Sequence, residues 1–151
     1  MKHVRKSVLL WYSAREMYSL VTSVADYPQF LPWCADAKVL AETEAGMKAR
    51  LTLAFGGVRH AFTTMNEHVD GRSVVVSLVD GPFSLLDGNW QFLPLGEGTA
   101  APQPACKIEF DMRYAFANGA LEAVISPVFD RIANSLVDSF VKRAGQVYGA
   151  R

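Results

Sequence analysis

Three histidines, two cysteines and fifteen carboxylates carry the titratable, nucleophilic or metal-binding options of this 151-residue chain. His60 and His68 fall on one face of an alternating segment. Eight residues of strand separate them by about 26 Å, too far to share one metal ion. His3 is remote in sequence, so structural or exposed histidines are expected rather than ligands. Cys34 and Cys106 form no CxxC pair and fit no metal spacing, and they read as two reduced, buried thiols. There is no GxSxG elbow, no cysteine–histidine signature and no P-loop. Gly96-x-Gly98 lacks the third glycine of a dinucleotide loop. The carboxylates Glu67, Asp70, Asp80, Asp87, Glu109 and Asp111 show no apolar setting, and Glu109 and Asp111 alternate with greasy residues and should face water. A cyclase-like activity would need an acid–base group facing a cavity, for which His60, Tyr114 and Arg50 are the candidates. No catalytic residue, no metal and no obligatory cofactor is expected.

Fifteen basic residues balance fifteen acidic ones. A domain-wide attraction to DNA or to an anionic membrane is therefore absent. The mildly basic stretches, Met1 to Lys6 and Lys142-Arg143, read as solvated ends of elements. No apolar run approaches the roughly 20 residues that span a bilayer. Val8 to Tyr12 is too short for a signal sequence and leads into a helix cap. A single cytoplasmic domain covering residues 1–151 is expected.

The elements follow from periodicity. Lys2–Trp11 reads as a strand. Ser13 with Glu16 three residues on is a capping box, and a short helix follows through Met17, Tyr18 and Val21. Asp26 suits the cap of a second short helix, with Pro28 in its first turn and Pro32 at its end. The period then becomes two. Strands are predicted at 37–44, 47–55, 58–69, 72–79, 86–95 and 105–116, with hairpin turns at Gly56-Gly57 and Asp70-Gly71. Asp80 to Phe83 breaks the chain, and Pro94 to Pro104 is a loop. In the last strand Ile108, Phe110, Met112, Tyr114 and Phe116 face one way, and Lys107, Glu109, Asp111 and Arg113 the other. After an Asn118-Gly119 turn, residues 121–148 form an amphipathic helix about 42 Å long. Its apolar positions are 121, 124, 125, 128, 129, 132, 136, 137, 140 and 144. Pro127 should kink or restart it, and Gly149 should close it. Hairpin-linked strands make an antiparallel meander, and the long helix alone is large enough to cover its greasy face.

This order resembles the START-like superfamily, also called SRPBCC or Bet v 1-like. Its α+β helix-grip fold wraps a seven-stranded curved antiparallel sheet around a long C-terminal helix, with two short helices after strand 1. Tyr27-Pro28-Gln29-Phe30-Leu31-Pro32-Trp33-Cys34 resembles the segment after the first helix in the coenzyme Q-binding branch. Gly81-Pro82-Phe83 with Leu86, Gly88 and Trp90-Gln91-Phe92 resembles that branch's central motif. Phe140-Val141-Lys142-Arg143-Ala144 with Tyr148-Gly149 resembles its C-terminal helix. The branch is also labelled polyketide cyclase-like and includes the ribosome-association toxins. Thr99 to Pro104 looks longer than the family's loop.

The resemblance implies a hydrophobic small molecule, such as ubiquinone or another lipid, between sheet and helix. Apolar pockets with few polar groups suit such ligands. The sheet should offer Leu53, Phe55, Phe62, Val76, Leu78, Trp90, Phe92, Phe110, Met112 and Tyr114. The helix should offer Phe129, Ile132, Leu136 and Phe140. Phe30, Leu31, Trp33, Pro82 and Phe83 would surround the entrance. A quinone head has only acceptors, so Tyr114, His60 or Trp90 would donate to it. The resemblance equally implies a second function, binding the large ribosomal subunit and blocking subunit joining. That function would need an outer basic patch, for which Arg5, Lys6, Lys107, Arg113, Lys142 and Arg143 are candidates. A cyclase or aromatase is the third option.

Overall fold

A computed structural model describes residues 1–95 and 104–151. Gly96-x-Gly98 and all but the last residue of the Thr99 to Pro104 insertion lie outside the described residues. The elements are β1 (Lys2–Leu10), α1 (Ala14–Thr22), a 3₁₀ helix (Val24–Gln29), β2 (Cys34–Thr43), β3 (Gly46–Phe55), β4 (Val58–Val69), β5 (Ser73–Asp80), β6 (Phe83–Leu95), β7 (Ala105–Phe116) and α2 (Gly119–Tyr148). The strands form one antiparallel sheet in the order β1-β7-β6-β5-β4-β3-β2. Strands β2 to β7 are a meander, and β1 returns to pair with β7. This is the helix-grip architecture expected from the residue pattern.

Local chemistry sets the boundaries. Ser13 Oγ accepts from the Glu16 amide at 3.0 Å, and Glu16 Oε1 accepts from the Ser13 amide at 2.9 Å, which completes the capping box. The second short helix differs from expectation. It is 3₁₀, begins at Val24, and carries Asp26 inside its first turn rather than at its cap. The Ser23 hydroxyl donates back to Ser19 O at 2.6 Å, so α1 runs into the next helix with no side-chain cap between them. β2 starts at Cys34, which pairs with Leu53 ahead of a bulge. β6 starts at Phe83, because Gly81 at φ 150° turns the chain within two residues.

Gly46 and Asn118 each do more than mark a turn. At Gly46 an added Cβ would sit 1.8 Å from the Asn66 carbonyl oxygen, so the start of β3 requires glycine. Asn118 is the N-cap of α2, its Oδ1 accepting from the Leu121 amide at 2.9 Å. α2 then runs unbroken through Pro127, whose ring lies on the exposed side, where helices tolerate bending. Val124, grouped by periodicity with the apolar face, is exposed.

The core lies between the inner face of the sheet and α2. Phe92, Ile108, Phe110 and Tyr114 meet Phe129, Val137 and Phe140, all nearly fully buried. Ala133 and Ala144 are completely buried and let the helix approach the strands closely. Aromatic rings meet mostly edge to face, as at Phe129, whose ring centroid lies 4.9 Å from that of Phe83 and 4.7 Å from that of Tyr114.

Candidate functional site

The sheet and α2 enclose a cavity of about 90 Å³. Of the residues expected there, Trp33, Phe62, Val76, Trp90, Phe110 and Met112 line it from the sheet side. Phe129, Ile132, Leu136 and Phe140 line it from the helix. Val24, Tyr27, Ala49, Leu51 and Leu86 add further apolar wall. Gly88 completes it: inner-face neighbours carry side chains, whereas here a Cβ would meet nothing closer than 3.8 Å. A glycine at an inward position of an alternating strand is the sequence signal for that space.

The other expected residues lie elsewhere. Leu53, Phe92 and Tyr114 are buried in solid core outside the cavity lining. Leu31 is 1% exposed and Phe83 packs against Phe62, Phe116 and Phe129. Both plug the fold rather than ring an entrance. Pro82 and Leu78 are half-buried and outside the lining. Phe30 is half-buried under the Arg143 guanidinium, 5.0 Å from its ring centroid. Phe55 shares the parity of Leu53 but is 45% exposed, because the strand ends there in the Gly56-Gly57 turn and nothing covers it. It is corrected from a buried to an exposed position.

The polar groups expected to face the cavity are also redistributed. Arg50 lies on the outer face of β3 and is exposed. His60 is half-buried and outside the lining. Tyr114 Oη donates to Asp130 Oδ1 at 2.5 Å. Burial first, and then Asp130, push this hydroxyl far above its ordinary range. Burial works to raise the Asp130 carboxyl, but hydrogen bonds from Lys2, Tyr114 and Ser126 outweigh it and leave it low. The polar groups that do reach the cavity wall are Thr64 and Asn66. Both are buried, with Thr64 Oγ1 donating to Asn66 Oδ1 at 2.8 Å.

This arrangement holds no acid–base pair. Burial pushes the thiols of Cys34 and Cys106 up to about 11, so neither is a nucleophile at neutral pH. His68 is held below its ordinary value by burial, against the edge of Tyr18. Among the described residues no group of histidine, cysteine and carboxylates can hold a metal ion, and no helix is long and apolar enough to cross a membrane.

Half of the outer basic patch expected from the sequence is neutralised. Arg5 pairs with Asp111 at 3.2 Å, Lys107 with Glu109 at 3.3 Å and Arg113 with Asp87 at 2.9 Å. Arg143 donates to the uncharged Gln29 side chain at 2.9 Å. Lys6 on β1 and Lys142 and Arg143 on α2 have no ion pair among the described residues.

A family model described as polyketide cyclase / dehydrase and lipid transport matches residues 10–141. The chain belongs to this family. Within it, the chain is 44% identical over 147 residues to the ribosome association toxin RatA of Pseudomonas aeruginosa, covering 97% of this chain and 98% of that one. It is 39% identical to the protein of the same name from Escherichia coli K12, covering 100% of this chain and 92% of the other. The mitochondrial coenzyme Q-binding protein COQ10 homolog B of Xenopus laevis is 28% identical over 145 residues, and the match covers 95% of this chain but 58% of that protein. The solution structure of the 18 kDa protein CC1736 from Caulobacter crescentus superposes with a TM-score of 0.72 at 31% identity, covering 99% and 100% of the two chains. The Zhui aromatase/cyclase of Streptomyces shares the fold, with a TM-score of 0.67 at 16% identity over 99% of both chains.

Proposed function

We propose that this family member associates with the large ribosomal subunit and hinders subunit joining. The observation that carries the reading is end-to-end similarity to proteins named ribosome association toxin, at 39–44% identity. The interior supports it. A cavity of about 90 Å³ is smaller than the roughly 150 Å³ that admits benzene, and far below the 300–1,000 Å³ of ordinary ligand sites. A polyprenyl quinone is far larger than this space. Quinone carriage, the first expectation from the sequence, thus has the more distant relative and the less suitable space. These points favour a function carried by the outside of the molecule.

The test is co-sedimentation of the purified chain with large ribosomal subunits on a sucrose gradient. The chain is expected in the large-subunit fractions. Its absence there, together with stoichiometric uptake of added ubiquinone, would return the chain to the carrier reading.

A further inference from the structure

We infer that the outer face of β2, β3 and β4 is a phosphate-binding surface for RNA, an assignment that rests on the ribosome-association reading. In the β2–β3 ladder Lys38 lies directly opposite Arg50, and Lys48 is two residues along from Arg50 on the same face. Arg59, opposite Ala54 in the β3–β4 ladder, continues the row. Neighbouring strands are about 4.8 Å apart and same-face neighbours along a strand about 6.8 Å, so Lys38, Arg50 and Lys48 form a tight group. Lys38, Arg50 and Arg59 are exposed, and Lys48 is half-buried.

Like charges directly opposite each other weaken an antiparallel pair. Elsewhere on the outer face this chain avoids the cost. On β1, β7 and β6, His3, Arg5, Lys107 and Arg113 each contact a carboxylate. Here the pairing stops. Among the described residues Lys48, Arg50 and Arg59 have no ion pair, and Lys38 has only Asp36 at 3.8 Å. The other carboxylates of this face, Glu67 toward the β2–β3 hairpin and Asp80 beyond Thr63, border the group rather than divide it. α2 packs on the opposite face and β2 is an edge strand, so no element covers these cations. A local rule broken with only the long Lys38–Asp36 contact to offset it points to a partner that compensates the rest. A nucleic-acid strand carries one negative charge per about 3.4 Å of axis, so cations at this spacing each meet a phosphate.

The test is equilibrium binding to purified large ribosomal subunits and, separately, to deproteinised large-subunit RNA, from 50 to 200 mM KCl. Three variants are compared with the parent: Lys48→Gln/Arg50→Gln/Arg59→Gln, the charge-keeping Lys48→Arg/Arg50→Lys/Arg59→Lys, and a control Arg15→Gln/Arg131→Gln/Arg151→Gln. Four phosphate contacts give the parent a log–log salt slope of about −3 to −4 on both probes. The neutral triple variant is expected to bind both at least tenfold more weakly at 100 mM, with a slope shallower by about 2–3. The charge-keeping variant and the control should stay within about twofold of the parent. If the neutral variant binds subunits as the parent does, the surface is wrong while ribosome association stands. A parent that binds neither probe overturns both. Subunit binding that is lost in the neutral variant, with no binding to bare RNA, assigns the face to an acidic protein instead.

Discussion

Lys2 and Tyr114 lie directly opposite each other in the β1–β7 ladder, and both reach the carboxylate of Asp130 on α2. One side chain of the helix thereby fixes the edge strand, its neighbour and the helix's own position over the sheet. Tyr114→Phe removes one of these donors and should lower stability by about 1–2 kcal/mol. Asp130→Ala strands a buried hydroxyl and should cost about 1–3 kcal/mol. Urea denaturation reads both, and each kcal/mol should lower Tm by about 2–4 °C. Unchanged midpoints would show that packing alone seats the helix.

Acid should weaken the fold in two stages. His68 is held low by burial in the folded chain, so its neutral form is favoured and its contribution is present above the ordinary value of 6.5. That contribution is lost as pH falls from 6.5 toward the folded value. The Asp130 carboxyl is also held low, so its contribution is present above 3.8 and is lost as pH falls through its folded value. The urea midpoint should therefore decline below pH 6.5, and His68→Phe should flatten that first decline. A variant that keeps the decline would locate the titration elsewhere.

Gly88 faces free space, and its backbone is not in the left-handed region. Gly88→Ala should stabilise the chain by about 0.4–1 kcal/mol, since the unfolded state loses freedom and the new methyl makes ordinary contacts. Gly88→Leu should fill the cavity and leave ribosome binding within about twofold of the parent, because the outer face is untouched. A large loss of ribosome binding in that variant would show that the cavity takes part.

Phe129 is the hub of the aromatic core, with Phe62, Phe83, Tyr114 and Phe116 around it. Phe129→Ala should cost about 3–5 kcal/mol. A loss below about 1 kcal/mol by chemical denaturation would mean that the neighbouring rings collapse into the space.

Much of this architecture was legible in the residue pattern. Alternation along 105–116 fixed the facing of β7, and Ser13 with Glu16 fixed the start of α1. Features set by tertiary contact were not legible. Asp26 lost its cap because Ser23 bonds backward, and Phe55 stayed exposed because β3 ends there in the Gly56-Gly57 turn. The cavity was half legible. Apolar residues at inward parity marked its walls, but whether they touched each other or left space depended on packing at Gly88. The outer face was least legible. Lys107 sits two residues from Glu109 on one face of β7, which alternation already showed, whereas only strand register set Arg5 beside Asp111 and Arg113 beside Asp87. Register also brought Lys38 opposite Arg50, across a hairpin that the sequence alone could not align.

The most direct measurement is light scattering of ribosomal subunit joining with increasing amounts of the purified chain. The scattering increase on mixing small and large subunits should fall in proportion to the chain added, reaching a plateau near one chain per large subunit. A full increase at saturating chain, at low salt and with the folded protein verified, would contradict the proposed function.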